Sequence, residues 1–280
     1  MKQLFFILCT LLTPLLAQAG GEDVVIENAR MRLVIGADGA ARSLVLKATG
    51  EECLAAGVRT PICAITQYRP YDNENFLIYP AKPRIFPANR VERRGDRLYV
   101  EFEDTYDIAV IRLDIRDDYV GFALERVDYR IEAYGVKRQT EIDEFALLQL
   151  VVRPREHFGE WLNVVWDDHA AVNLLGTHPG TRIDAYPGEG ATTLYAGLDA
   201  RVGLFGPGAA LVVSSREGLL PAIGQVEQDY DLPRGVESRR NPNYRCSYYS
   251  LRNVTPENID AHIEYARRGG FRTMVVYYVD

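Results

Sequence analysis

Short apolar runs bounded by turn residues dominate the chain from Asp23 to about Ser215. Asp23–Glu27 and Met31–Ile35 are β-branched runs, Gly36-Ala37-Asp38-Gly39 is a turn, and Ser43–Leu46 returns as the next strand. Residues 47–52 form a polar turn that closes this hairpin. After a loop rich in Pro and Tyr (residues 68–87), Leu98, Val100 and Phe102 alternate with Tyr99, Glu101 and Glu103, the period of a half-buried strand. Ile108–Ile115 and Tyr119–Leu124 continue as antiparallel neighbours. Asp117-Asp118 sits between them, where an Asp side chain can bond its own backbone. Further strands are predicted at Phe145–Val152, Leu162–Val165, Ala170–Leu175, Thr192–Ala196 and Ala209–Ser214. Many short strands and little helix predict a mainly β fold, a large antiparallel two-sheet sandwich.

The period changes at Gly218. Leu219, Ile223, Val226 and Tyr230 share a helical face, with Pro221 expected in the first turn. Residues 231–245 are polar and hold Pro233, Gly235 and Pro242, which predicts a linker; Tyr244–Leu251 leads on from it. Thr255–Asp280 then reads as a helix and a strand. Thr255 offers an N-cap hydroxyl, Pro256 suits the first helical position, and Ile259, Ile263 and Ala266 form the apolar stripe. Arg267 and Arg268 complement the negative end of the helix dipole, and Gly269-Gly270 supplies a stop. Met274–Val279 runs on without alternation, as a strand covered on both faces does. Such a strand needs neighbours. It is expected either to join the sandwich or, as favoured here, to open an α/β domain in a longer protein.

The first residues read as a targeting segment. Lys2 is a short positive region, Leu4–Leu16 an apolar one, and Ala17-Gln18-Ala19 a small-x-small cleavage pattern. The apolar run is too short for a span of about 20 residues, so no membrane association is expected after cleavage. The protein is expected to be exported, to the periplasm or the extracellular space. A formal charge of −7 over 280 residues, without a basic stripe, argues against a nucleic-acid partner. Beyond the leader, Cys53 and Cys63 can pair or remain as buried thiols, and Cys246 is left over.

The opening hairpin, MRLVIGADGAARSLVLKATGEE, resembles the first hairpin of galactose-mutarotase-like sandwich domains. The closing segment, PENIDAHIEYARRGGFRTMVVYYVD, resembles the start of a (β/α)8 barrel, a helix before a strand that ends in an acidic residue. The resemblance covers most of residues 23–280 in architecture but includes no catalytic signature. It implies a galactose-mutarotase-like supersandwich followed by a linker helix and the first helix–strand unit of a truncated α/β barrel, as in glycoside hydrolases related to α-galactosidases and α-glucosidases. The expected organisation is a signal peptide (1–19), a β-sandwich (20–217), a helix and linker (218–254) and the beginning of the barrel (255–280).

Candidate chemistry is sparse. Asp280 follows the last strand, where barrel enzymes place catalytic side chains, and is the candidate catalytic residue; otherwise it is a loop Asp. Trp161, Trp166, Asp167, Asp168 and His169 are the candidate ligand-binding set, because indole rings stack on sugar faces and carboxylates take hydroxyls. Five-residue spacing puts the two Trp on opposite faces of an ideal strand, so a bulge or turn is needed to join them; the alternative is one core Trp beside a turn capped by Asp167-Asp168. Glu141, Asp143 and Glu144 form either an acid–base pair or a solvated loop. Residues 72–75, Asp-Asn-Glu-Asn, have oxygen-rich side chains without EF-hand spacing; a solvated loop is expected, with calcium the lesser alternative and not indicated, and otherwise no cofactor or metal is expected.

The function expected is that of a non-catalytic or rim-forming N-terminal domain of an exported glycoside hydrolase acting on poly- or oligosaccharides. Its partners would be carbohydrate and a missing C-terminal barrel, and the 280-residue chain alone would be inactive, since a barrel takes about 250 residues. The alternatives are a self-contained exported carbohydrate-binding protein and a mutarotase-type epimerase, which would need His169 or His178 beside a carboxylate.

Overall fold

The computed structural model describes residues 21–71, 79–135, 141–242 and 246–277. The fold is mainly β with large antiparallel sheets, as the alternation predicts. A four-stranded sheet opens the chain in simple sequence order: β1 (Val24–Glu27), β2 (Met31–Ile35), β3 (Ala41–Leu46) and β4 (Glu51–Glu52). The tight turn between β2 and β3 needs Gly39, whose φ is +77° and whose missing Cβ would sit 2.9 Å from that of Ala88.

The next strands are β5 (Ala64–Tyr71), β6 (Tyr79–Arg94), β7 (Arg97–Phe102), β8 (Asp107–Ile115), β9 (Val120–Tyr129) and β10 (Glu144–Val152). After them come β11 (His157–Gly159), β12 (Val164–Trp166), β13 (Ala171–Gly176), β14 (Arg182–Gly188), β15 (Ala191–Asp199) and β16 (Gly208–Ser214). These twelve form one sheet in the order β11-β12-β13-β16-β9-β8-β7-β6-β5-β10-β15-β14. The Pro- and Tyr-rich segment expected as a loop is largely strand. Up to Pro87, β6 pairs with β5 alone; from Ala88 it pairs with β7, after a register shift between Ala88 and Arg90. A half-strand with one open side tolerates Pro83 and Pro87, which donate no N–H.

The far arms of this sheet pack on one another, β13 and β16 against β15 and β10. One core fills the space between them, with Leu33 and Leu44 from the small sheet beside Val100, Phe122, Phe145, Leu148, Leu174, Leu194 and Leu211, all at most 2% exposed. Cys53 and Cys63 lie buried in it as free thiols.

Helix α1 (Arg216–Asp229) lies on the opposite side of β16. Ser215 caps it by accepting from the N–H of Gly218, so the helix begins at Arg216, two residues before the expected Gly218, and Pro221 falls in the second turn. Leu219, Ala222, Ile223 and Val226 bury against Tyr119, Ala210 and Val212. Ala209, Leu211 and Val213 of the same strand face the main core, which makes β16 covered on both faces. Tyr119 donates to Asp229 (2.8 Å) and Tyr230 to Asp114 (3.2 Å), fastening the C-terminal end of α1 to the sheet. A short helix, α2 (Gly235–Ser238), lies in the expected linker; Glu227 of α1, buried, accepts from Val236 N–H.

The chain closes as β17 (Tyr248–Leu251), α3 (Ile259–Arg268) and β18 (Thr273–Val276). The two strands pair in parallel, from Tyr248 opposite Thr273 to Leu251 opposite Val276. The expected helix starts later than the Thr255 cap, after a turn in which Ile259 N–H donates to the Thr255 carbonyl. Its strand has a partner in β17, where only a lead-in was expected. That strand is not covered on both faces: Thr273 and Val276 are exposed, and only Leu251 and Ala266 of the unit are buried.

Candidate functional site

The proposed ligand-binding residues straddle the outer edge of the large sheet. Residues 160–162 form one 3-10 turn, and Asn163 follows in the left-handed region (φ 50°). Thus Leu162 belongs to a turn and the strand starts at Val164, not at Leu162. The reversal is held from both sides. Asn163, fully buried, donates to the carbonyls of Leu174 (2.9 Å) and Tyr195 (3.2 Å), and Asn173 donates to that of Leu162 (2.5 Å). Since β14 is the other edge of the sheet and the 3-10 turn lies against it, the turn bridges the seam between the two edges.

Trp161 stands on that seam 95% exposed, and Phe158, Leu162 and Tyr186 are exposed as well. Trp166 is half-buried in β12, its ring 5.1 Å from that of His157, the residue opposite it in β11. The two Trp therefore have different surroundings, one ring in solvent and one in a strand.

Asp167 is a structural carboxylate. It accepts the N–H groups of His169 (2.8 Å) and Ala170 (3.0 Å) and both Nη1 contacts of Arg155 (3.0 and 2.9 Å). Burial on its own would raise its carboxyl pKa; the two N–H groups and the guanidinium outweigh that and hold it below the usual value. Arg155, its side chain 3% exposed, also reaches Glu51 (3.3 Å) and the Cys53 thiol (3.6 Å). Burial pushes that thiol up to about 11 against the pull of Arg155. Asp168 is exposed and pairs with Arg216, while His169 is exposed. Among the described residues no cluster of His, Cys, Asp or Glu can hold a metal ion.

The Glu141–Glu144 segment separates its carboxylates. Asp143 accepts from Tyr68 N–H (2.7 Å), and Glu144 faces Arg182 at 3.8 Å. Arg182 lies 5.0 Å over the Tyr195 ring, whose hydroxyl burial shifts upward, and Tyr186 donates to Asp184 (2.8 Å). This polar, aromatic surface on β10, β15 and β14 was not anticipated beyond Glu144. Its members come from three strands, and only cross-strand register brings them together. Arg155 was also missed. Asp280 and residues 72–75 lie outside the described residues.

The C-terminal unit carries its own ring cluster. Tyr249 stacks on Phe271 (ring centroids 5.6 Å apart) and meets Tyr265 at a tilt (5.0 Å), and its hydroxyl meets His262 Nδ1 at 3.1 Å. Tyr248, Tyr265, Val276 and Tyr277 are each at least half exposed.

No protein-family model matches the chain, and no curated protein matches it. Among solved structures it is similar to a GH31-family sulfoquinovosidase from E. rectale in complex with an aza-sugar inhibitor, at 10% identity and a TM-score of 0.35. The match covers 88% of this chain and 39% of that one, so the chain spans about two-fifths of that enzyme's length. A TM-score of that size does not establish a common fold.

Proposed function

We propose that the β region is the non-catalytic or rim-forming N-terminal domain of an exported glycoside hydrolase acting on poly- or oligosaccharides. In this reading the sheets form a sandwich of the galactose-mutarotase-like kind, and β17-α3-β18 is the first unit of a (β/α)8 barrel. One observation supports it above the others: after the antiparallel sheets comes a parallel strand–helix–strand unit whose apolar side chains lie open. Parallel sheets occur almost only with both faces covered, and two strands cannot provide that cover. Catalytic carboxylates would come from the C-terminal ends of the barrel strands, Asp280 among them.

The test is the size and activity of the native protein. An antibody raised against this chain should detect, outside the cytoplasm, a polypeptide larger than the 31.6 kDa of these residues by roughly a barrel of 250 residues. The immunoprecipitate should release nitrophenol from aryl glycosides, and the 280-residue chain alone should not. A native band at or below 31.6 kDa would sink the proposal.

A second reading, a self-contained carbohydrate-binding protein, draws on Trp161. A fully exposed indole is unusual, and it is the side chain type that stacks on sugar rings. Trp161→Ala should then abolish retardation in polysaccharide gels without lowering Tm.

A further inference from the structure

A second surface, remote in sequence from the Trp161 seam, has a different chemistry. A cleft of about 1550 Å³ opens between the N-terminal strand β1 and the second half of β6. Its walls carry Arg42, Arg59, Arg90 and Arg93, with Asp38 between the first two. Four guanidiniums in one cleft stand out in a chain whose formal charge is −7.

Their carboxylate partners are too few. One oxygen of Asp38 serves both Arg42 (2.7 Å) and Arg59. Arg90 shares Glu101 with Arg130. Arg93 is fastened by two backbone carbonyls, Val25 (2.6 Å) and Gly95 (2.9 Å), and among the described residues no carboxylate lies within ion-pair distance of it. Of the acidic residues at the rim, Glu92 is already bound by both nitrogens of the Arg94 fork (2.9 Å each), and Glu22 and Asp23 are exposed. The lining thus holds four guanidiniums that are oriented by their bonds, of which Arg42 and Arg59 divide one carboxylate oxygen and Arg93 has carbonyl partners. A fork of fixed N–H donors matches the oxygens of a carboxylate or a sulfate.

We propose that this cleft binds an acidic polysaccharide through its carboxylate or sulfate groups, with Arg42, Arg59 and Arg93 as the anion-contacting residues. The oxyanion chemistry rests on the arginines; its polysaccharide carrier rests on the function proposed above.

Affinity electrophoresis of the 280-residue protein at physiological ionic strength tests it, in gels containing dextran, dextran sulfate or polygalacturonate. Retardation is expected in one or both acidic gels and not in dextran. Sulfate and carboxylate are told apart by which acidic gel acts. The Arg42→Ala/Arg59→Ala double variant should bind about tenfold more weakly, two lost charge-assisted contacts being ample for that change. Arg272→Ala, an exposed arginine on the C-terminal unit, should bind as the parent does. Arg59→Lys keeps the charge, loses the fork and perturbs the fold least, and it should weaken binding as well. No retardation, equal retardation in plain dextran, or full retention by both the double variant and Arg59→Lys would overturn the proposal. Each of these results leaves the size of the native protein, and so the barrel reading, untouched.

Discussion

Strands β16 and β18 are similar in sequence and opposite in environment. GAALVVS and TMVV are both apolar runs without alternation, the pattern of a strand covered on two sides. β16 has that cover: odd-numbered residues from Ala209 to Val213 meet the main core, and Ala210 and Val212 meet α1. Among the described residues β18 pairs with β17, and its residues range from half-buried to exposed. An apolar run therefore states a demand for cover, and the surrounding chain decides whether it is met. In β16 the demand is met by elements within these 280 residues.

Core truncation should separate the two regions most sharply. Leu33→Ala, at a fully buried position, should cost about 3 kcal/mol in urea denaturation. Ile263→Ala on α3, 37% exposed, should change stability by less than about 0.5 kcal/mol. Similar losses at the two sites would break the comparison.

Arg155→Met tests whether charge, as well as apolar burial, holds the β region together. It leaves Asp167 and Glu51 without their shared cation, and removing one member of a largely buried pair costs about 3 kcal/mol. An additional Asp167→Asn change should recover part of that loss, because the more buried of the two carboxylates is then no longer left without its cation.

The smallest effect is in acid. The Asp167 carboxyl has a folded pKa below its ordinary value of 3.8, so its contribution is present above that value and lost as pH falls through the folded pKa. Denaturation midpoints of the parent should thus fall below about pH 4 more steeply than those of Asp167→Asn. Parallel curves would remove Asp167 from the account.

Much of the fold was legible because strands and helices impose periods on their residues. Alternation marked β7, and the Leu219–Val226 stripe marked α1. The signals that failed were those without a period. Pro83 and Pro87 made β6 look like a loop, since their fit depends on the side of the strand that has no neighbour. Asn163 turns the chain by a positive φ that no pattern announces, which is why Trp161 and Trp166 ended in different surroundings. β17 is four residues long, with polar Ser250 within it, and only its parallel partner identifies it. Arg155 joins segments that no local pattern connects. The candidate site was legible as a list of residue types and not as a geometry.

The Arg155 clamp also bears on the order of assembly. Its guanidinium joins Asp167, 12 residues ahead, to Glu51, 104 residues behind. A chain emerging N-terminal end first exposes the β4 segment long before its partner exists: the bond to Glu51 waits for residue 155, and the full clamp for residue 167. Bonds across such separations bring a large loop-closure entropy ahead of any reward, which places closure of this region late and makes it slow. Truncations ending between Glu51 and Asp167 would leave a hairpin with no latch, open to proteases and to other chains.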